Sequence, residues 1–364
     1  MDCKGKLSGD YRNLLEPPAY VALFARFPPL DFRVKQNSAG IPLFSLRFDL
    51  LTTLESAARV RLQGLPLFRF WSRLFKLPAC FTGATITEYS PLPRDLSPEA
   101  LLDALLEKDA QDDAPSLTIV KDIPVASPLL SEEDNAFAEN LSRAAARRGF
   151  IVVEGQALAY LPVDFRSIDE YLARLSAGRR RDLRRKLKKR AELEVEIVPL
   201  GDARFADEAF RQQLYAMYLE VFEQSEIHFD LLSREFFAAL LQEGAGWGVV
   251  FLYRRRGALA GYNICLLHAG RLIDKYIGFD YTLAKPLNLY FISWIVNLEF
   301  AREMGLSAYV AGWTDPEVKK SLGASFTFTR HLVWIKNPLL RALLRPFRCF
   351  FEADARVLER HPDA

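Results

Sequence analysis

VVFLYRRRGALAGYNICLL, residues 249–267, reads as two β-strands joined by a tight turn. Apolar and aromatic residues fill both arms, and Arg256-Gly257-Ala258 between them has the polar and glycine character of a hairpin turn. A third β-rich segment, RLIDKYIGF, follows after a short link. We therefore predict three consecutive, antiparallel strands, at about 247–254, 258–268 and 271–279.

Helical and β-rich segments alternate around these strands. LNLYFISWIVNLEFAREMG, residues 287–305, has the apolar spacing of an amphipathic helix and ends at a glycine. Two helices are predicted before the strands, at about 205–223 and 233–243. A strand at SAYVAG, a short helix and a last strand at SFTFTRHLVWI follow the long helix. This order predicts a layered α/β domain with a mixed sheet.

The N-terminal half repeats part of this plan. Residues 31–54 read as two β segments around a turn at Ser38-Ala39-Gly40, and helices are predicted to begin after Ser97 and near residue 131. The recurring hairpin suggests two related domains, and 364 residues are more than one hydrophobic core usually holds. The expected fold class is α/β (α+β layered), with domains at 1–165 and 166–335 and a C-terminal helix at 336–364.

Composition limits the functional classes. The chain has 48 Lys and Arg against 46 Asp and Glu, a net charge of +2, which argues against a surface that coats nucleic acid. The four cysteines show no CxxC spacing, so free thiols in a reducing compartment are expected. The N-terminus lacks a signal-peptide core, and no apolar run reaches the roughly 18–20 residues of a membrane span. We expect a cytoplasmic protein without a metal site or a serine-hydrolase triad.

Positive charge is concentrated in LSAGRRRDLRRKLKKRAEL, residues 175–193. Nine Arg or Lys occupy the twelve positions 179–190, and only Leu183, Leu187 and Ala191 form an apolar stripe. One interpretation is a solvated helix at the domain junction. The other is a docking patch for a partner with phosphate groups, such as tRNA, an acyl-carrier protein, a nucleotide-sugar or anionic lipid.

Three motifs give the chain a resemblance to a known family. The first is Leu175-Ser176-x-x-Arg179-x-x-x-Leu183-Arg184-Arg185-Lys186. The second is Tyr276-Ile277-Gly278-Phe279-Asp280 followed by Leu289-Tyr290, and the third is Gly305-Leu306 followed by Lys319-x-x-Leu322-Gly323. Their order resembles the two-domain, FemAB-like and CelD-like N-acyltransferases of the GNAT superfamily. The resemblance implies two tandem GNAT-like domains, with the C-terminal helix packed back on the first.

The family resemblance also implies a reaction. An amine attacks the acyl carbonyl of a thioester (acyl-CoA or acyl-carrier protein) or of an aminoacyl-tRNA, without a covalent enzyme intermediate. TLAKPLNLY has no glycine between Thr282 and Tyr290, unlike the pyrophosphate loop of single-domain acetyltransferases. Donor phosphates would instead meet backbone N–H groups at a helix start, around Leu287 and Asn288, with Lys285 as a nearby charge.

Three residues are expected to act in catalysis. Lys319 corresponds to the lysine that stabilises developing negative charge in Fem-type enzymes, with help from backbone N–H groups of the 247–254 or 258–268 strand. Asp274 would orient or deprotonate the amine. Tyr276, expected on the same strand face as Asp274, would protonate the leaving group. A solvent-exposed lysine and a structural ion pair are the alternatives for Lys319 and Asp274.

Other polar residues are candidates for contact with the acceptor substrate. His228 and Asp230 follow a predicted helix and would line the acceptor cleft. Lys275, Asp280 and Trp313 lie on or after strands that carry the site in this fold, although a loop cap suits Asp280 and core packing suits Trp313 equally well.

The tail from 338 to 351 reads as a basic amphipathic helix. Besides packing on the first domain, it could contact a membrane surface peripherally. The alternative function is therefore a catalytically degenerate GNAT fold that binds an anionic partner or a membrane surface.

Overall fold

The computed structural model describes residues 10–37, 41–49, 68, 76–107, 115–224 and 230–344. The chain divides into two compact units, each built from separate stretches of sequence. Unit 1 comprises Met1–Leu14, Phe24–Ala157 and Thr327–Asp363, and unit 2 comprises Leu15–Leu23 and Leu158–Phe326, with the terminal Ala364. The units are thus interleaved along the chain, whereas the sequence analysis placed two domains in series.

The described residues form the following elements. From residue 11 to 162 they are β1 (Tyr11–Arg12), α1 (Pro18–Arg26), β2 (Arg33–Gln36), β3 (Pro42–Asp49), β4 (Lys76–Thr82), β5 (Leu92–Pro93), α2 (Pro98–Leu106), β6 (Leu117–Val125), α3 (Glu132–Arg147) and β7 (Ile151–Pro162). From residue 168 to 344 they are α4 (Ile168–Arg174), α5 (Ala177–Leu187), β8 (Glu194–Pro199), α6 (Glu208–Gln224), α7 (Arg234–Glu243), β9 (Gly248–Arg255), β10 (Ala258–His268), β11 (Arg271–Phe279), α8 (Tyr281–Leu287), α9 (Leu289–Glu303), β12 (Ala308–Gly312), α10 (Pro316–Ser321), β13 (Ser325–Ile335) and α11 (Pro338–Leu344).

Unit 1 is a sheet with helices packed against it. Its strands lie in the order β2-β3-β4-β6-β13-β7, and the first residues of β7 belong to this unit. Helices α2 and α3 begin with serine caps, Ser97 and Ser131, whose hydroxyls accept hydrogen bonds from backbone N–H groups three residues on. Their apolar faces contribute Leu101, Leu105 and Leu141 to one buried cluster.

Unit 2 has a sheet in the order β7-β12-β11-β10-β9-β8. Its pairs are antiparallel except for β11 and β12, which are parallel. In unit 1, β4 and β6 are likewise parallel and the other described pairs antiparallel. The predicted α/β class with mixed, mostly antiparallel sheets is confirmed.

Helices cover both faces of the unit 2 sheet. On one face the buried side of α9 packs on the strands, and its Leu289 lies close to Gly261 of β10. On the other face the Tyr262 hydroxyl donates a hydrogen bond of 2.8 Å to the carbonyl of Leu214 in α6. Tyr262 and Gly261 are neighbours on β10, so the alternation of a strand sends their positions to opposite helices.

Some elements differ from the sequence-based expectation. The sequence analysis predicted no helix at TLAKPL, but Tyr281–Leu287 is a helix that ends where Asn288 takes a left-handed conformation (φ 54°). The basic segment is helical over Ala177–Leu187 and continues as a 3₁₀ turn over Lys188–Glu192. The predicted turn at residues 38–40 and the tail beyond residue 344 lie outside the described residues. In the part that is described, no helix is long and apolar enough to cross a bilayer.

Candidate functional site

Two parallel strands separate at the centre of unit 2. β11 and β12 pair only at Arg271–Ile273 with Ala308–Val310, so the next residues of each strand lie on either side of a widening notch. Asp274 is the first residue of β11 past this pairing, and Gly312 ends β12 with a left-handed φ of +79° that favours glycine. Polar side chains such as that of Asp274 therefore lie between two central strands of the sheet, at the fork where the strands separate.

Asp274 is held by a network of hydrogen bonds. Its Oδ2 accepts from the Tyr309 hydroxyl (2.8 Å) and Asn297 Nδ2 (3.0 Å), and its Oδ1 accepts from Asn263 Nδ2 (3.3 Å) and Cys265 Sγ (3.6 Å). Burial raises the pKa of the Asp274 carboxyl, and the donors and the charge of Lys319 oppose this effect. Four accepted bonds use the capacity of a carboxylate, which favours orienting over deprotonation for this residue.

Lys319 lies at the same fork. Its side chain is buried, with only 4 % of the residue exposed, although it belongs to the short surface helix α10. A Cβ on Gly312 would lie 3.9 Å from the Lys319 Nζ and 3.8 Å from the Asp274 carbonyl oxygen. The Lys319 ammonium therefore lies next to the end of β12, in the neighbourhood of Asp274. The alternative of a solvent-exposed lysine is wrong for Lys319.

Tyr276 does not share the face of Asp274. Cys265 pairs with Asp274 and Ile264 with Tyr276, so Lys275 is an extra residue in the ladder, a β-bulge. The Tyr276 hydroxyl bonds to that of Tyr20 in α1, and its ring packs edge-on against Tyr218 of α6. The expectation of a shared face was wrong because strict alternation ignored the bulge.

The bulged residue makes a buried ion pair. Lys275 Nζ lies 3.0 Å from Glu16 Oε1, and the two side chains are 6 % and 0 % exposed. This pair ties the segment Leu15–Leu23 to β11 within unit 2. The geometry favours a structural part for Lys275, and its predicted contact with substrate stays a prediction.

The residues predicted to bind donor phosphates lie around the α8–α9 junction. Lys285 is exposed, with its Nζ 5.5 Å from the centre of the Tyr281 ring, whereas the Leu287 side chain is buried in the core. Asn288 gives its own N–H to α8 carbonyls. Asp280 caps α8 by accepting from the Thr282 N–H at 2.9 Å, as its alternative reading proposed.

The remaining candidates are less central. Trp313 follows the end of β12 and is partly exposed. Asp230 has a left-handed φ of 60° and lies near Tyr218, to whose raised pKa its charge contributes. His228 lies outside the described residues. Contact of these residues with substrate stays a prediction.

The sequence analysis missed the partners of Asp274. Asn263, Asn297 and Tyr309 come from β10, α9 and β12, and the two asparagines are entirely buried. Asn263 Nδ2 also donates to Asn297 Oδ1 (3.0 Å), and its Oδ1 accepts from the Tyr253 hydroxyl (2.7 Å). The available signal was an asparagine inside an apolar strand and another inside an apolar helix, both unfavourable positions without a polar partner.

The basic helix α5 borders this region. Arg179 and Lys186 line a cavity of about 260 Å³ together with Phe291 of α9 and Val318 of α10, the neighbour of Lys319. Lys186 also pairs with Asp182 at 2.8 Å. The basic helix α5 and the helix that carries Lys319, α10, therefore line the same cavity. Among the residues that can be described, no cluster of three His, Cys, Asp or Glu suited to a metal ion is found.

A comparison with protein-family models identifies the family of this chain. A family model, FemAB-like, described as peptidoglycan biosynthesis/recognition, matches residues 111–359. The chain belongs to the FemAB-like family. This confirms the resemblance that the three motifs carried, and the match extends it into unit 1. No curated protein matches this FemAB-like chain in sequence.

Solved structures share the fold at low sequence identity. The C-terminal domain of a protein described as a lysylphosphatidylglycerol synthetase from Agrobacterium fabrum is 13% identical, with a TM-score of 0.54, and the match covers 93% of this chain and 92% of that one. L-PGS from Bacillus licheniformis is 12% identical, with a TM-score of 0.52 and coverages of 92% and 97%. FemX is 12% identical, with a TM-score of 0.50 and coverages of 90% and 98%. These likenesses support the fold of the FemAB-like chain.

Proposed function

We propose that this FemAB-like protein is an N-acyltransferase that joins an acyl or aminoacyl group to an amine in the notch between β11 and β12. The observation that carries the proposal is the buried Lys319 ammonium beside Asp274, at the point where the two strands separate. A fixed cation in a water-poor site stabilises an oxyanion more strongly than the same cation in water.

The reaction needs one nucleophile and one leaving group. A neutral amine nitrogen attacks the donor carbonyl carbon, negative charge develops on the carbonyl oxygen, and the C–O or C–S bond to the leaving group breaks. The amine loses a proton, and the leaving group takes one up. Lys319 would stabilise the oxyanion, and Asp274 would hold the Lys319 ammonium in position. Tyr276 contacts the opposite face, so the proposal gives it no part in this step.

Among the donors, we propose an aminoacyl-tRNA. The family description concerns peptidoglycan, and the name of one structural relative concerns lysylphosphatidylglycerol, a lipid that carries an amino acid. Helix α5 supplies cations beside the cavity that borders α10, as a polyanionic donor would need. Acyl-CoA and acyl-carrier protein are the alternatives, and TLAKPLNLY offers them no glycine-rich phosphate loop.

A transfer assay with three donors tests this function. Charged tRNA, acyl-CoA and acylated carrier protein are each offered to the purified protein with a peptidoglycan-type peptide that has a free side-chain amine. We expect an alkali-stable amide product from charged tRNA alone. Amide formation only from a thioester would overturn the choice of donor. Vesicle binding with no transfer from any donor would support the non-enzymatic module instead.

The cations of α5 and of the 3₁₀ turn that follows it lead to a separate prediction about tRNA binding. Arg179, Arg181 and Lys188 have no acidic partner among the described residues, so Gln at all three should weaken tRNA binding. The slope of log affinity against log salt concentration is negative, and it should become less steep by about 2–3, because each phosphate contact contributes about 0.7–0.9 to its magnitude. Filter binding between 50 and 200 mM salt measures it.

The matched control changes three cations of the same helix region that are already paired. Arg184, Arg185 and Lys189 lie 3.1, 2.6 and 2.7 Å from Asp169, Asp182 and Glu192. Replacing these three by Gln should change the salt slope less, because their charge is partly neutralised in the free protein. Equal slopes for the two triple variants would contradict a docking patch made of the unpaired cations.

A further inference from the structure

The helix that carries Lys319 is too short to fix its own position. α10 has only six residues, and a helix of that length is not stable by itself in water. In the described part of the chain, the Asp315 that precedes it gives its first turn no side-chain cap. The place of the Lys319 side chain therefore depends on contacts between α10 and the rest of unit 2.

α10 ends in a Schellman motif. The Ala324 N–H donates to the Lys319 carbonyl at 3.0 Å. The Gly323 N–H donates to the Lys320 carbonyl at 2.9 Å, and Gly323 has the left-handed φ of +81° that this motif requires. The sequence motif Lys319-x-x-Leu322-Gly323 is therefore a helix end in which the lysine is held through its own backbone.

A side chain from another helix binds the same end of α10. The hydroxyl of Tyr171, in α4, donates to the Leu322 carbonyl at 2.5 Å. This hydroxyl accepts from Nε1 of Trp294, in α9, at 3.0 Å. Burial raises the pKa of the Tyr171 hydroxyl, which stays protonated and can donate. Because carbonyls at a helix end lack partners within the helix, this bond ties α10 to α4 and α9.

The first sequence motif meets the third at this helix end. A Cβ on Gly323 would lie 2.9 Å from Leu175 Cδ2, so the side chain that begins the first motif packs directly against the end of α10. Leu175, Leu322 and Tyr171 are buried in one apolar cluster. The two motifs thus form a single contact between the α4–α5 junction and α10.

Trp294 connects this contact to the network around Asp274. Its ring packs edge-on against that of Tyr309, with 5.0 Å between the ring centres. The Tyr309 hydroxyl in turn donates to Asp274 Oδ2. One indole therefore touches both the tyrosine that holds α10 and a tyrosine that holds Asp274.

We propose that Tyr171 is a positioning residue for Lys319, because it fixes the end of α10 and thereby the place of the ammonium in the notch. It acts through Lys319 and does not touch the substrate. This inference rests on the proposed function. A charge that stabilises an oxyanion must be held in place, and a displacement of about 1 Å can cost about 10²-fold in rate.

Tyr171→Phe tests the assignment, because it removes the hydroxyl and keeps the ring. We expect kcat for acyl transfer to fall about ten-fold, with KM for the donor within about two-fold, since the ammonium acts on the transition state. In a Lys319→Met background the same substitution should change kcat by less than about two-fold, because the group that it positions is gone. An equal loss of kcat in both backgrounds would overturn the assignment.

Tyr262→Phe provides the matched control. The Tyr262 hydroxyl is also buried and donates to a backbone carbonyl, that of Leu214 in α6, at 2.8 Å. The variant loses the same kind of bond without affecting α10, and it should keep kcat within about two-fold. A fall in kcat as large as that in Tyr171→Phe would assign the effect to general destabilisation and overturn the positioning part.

Hydrogen exchange examines α10 without any assay of transfer. The backbone amides of residues 316–324 should exchange about five- to ten-fold faster in Tyr171→Phe, and at the wild-type rate in Tyr262→Phe. Unchanged exchange in Tyr171→Phe would overturn the proposal. Faster exchange with no transfer from any donor would support the hold on α10 and overturn the proposed function. Transfer activity with an unaltered kcat in Tyr171→Phe would support the function and overturn the positioning part.

Discussion

Lys319→Met is expected to lower kcat for acyl transfer by about 10²–10³-fold, with a much smaller change in KM for the donor. The charge that the ammonium stabilises exists on the carbonyl oxygen only during the reaction. The lysine is buried at the fork of β11 and β12, where water screens its field poorly. Methionine keeps the length and apolar stem of the side chain and removes the charge. Single-turnover rates with saturating donor measure the effect.

The adjacent residue provides the control for this change. Lys320 lies on the same helix but is partly exposed, and Lys320→Met should keep kcat within about two-fold, because a solvated charge contributes little to the oxyanion. Circular dichroism on both variants checks that α10 is retained. Full activity in Lys319→Met would remove this residue from the mechanism and leave only backbone N–H groups as candidates for the oxyanion site.

Asp274→Ala is expected to lower the free energy of unfolding by about 3–5 kcal/mol. The substitution leaves a buried ammonium without its counter-charge and deprives Tyr309, Asn297 and Asn263 of the oxygens to which they donate. Each donor that loses its partner in a dry site adds to the loss. Urea unfolding followed by fluorescence measures the change.

Two further variants show which interactions account for the loss of stability in Asp274→Ala. Asp280→Ala, six residues along the same chain segment, removes a helix cap and should cost only about 1 kcal/mol. The double variant Asp274→Ala with Lys319→Met should recover part of the loss, since the unpaired charge is then gone. If Asp274→Ala costs no more than Asp280→Ala, the hydrogen-bond network is not the stabilising feature inferred from the structure.

The strands of unit 2 could be predicted because their pattern is local. β10 and β11 begin and end at the predicted residues, 258–268 and 271–279. Their bounds could be predicted because apolar strand residues and the glycine turns between them lie only a few positions apart in the sequence. The break between α8 and α9 was missed. It depends on the left-handed conformation of Asn288, and a proline such as Pro286 is unfavourable inside a helix.

The site itself was only partly accessible from sequence. Lys319 and Asp274 were named, but their meeting at one fork depends on the pairing of Arg271 with Ala308, 37 positions later, which no local periodicity indicates. The bulge at Lys275 is a one-residue shift without a composition signal, and it reversed the predicted face of Tyr276. Asn263 and Asn297 become meaningful only once both lie against the same carboxylate.

The segment Leu15–Leu23 has a consequence for how this protein is made. It belongs to unit 2, where Glu16 pairs with Lys275 and Tyr20 bonds to Tyr276, although the ribosome releases it more than two hundred residues before that strand. β13, close to the other end of the chain, lies between β6 and β7 of unit 1. Neither unit can therefore be completed during early translation, and no single proteolytic cut separates one from the other.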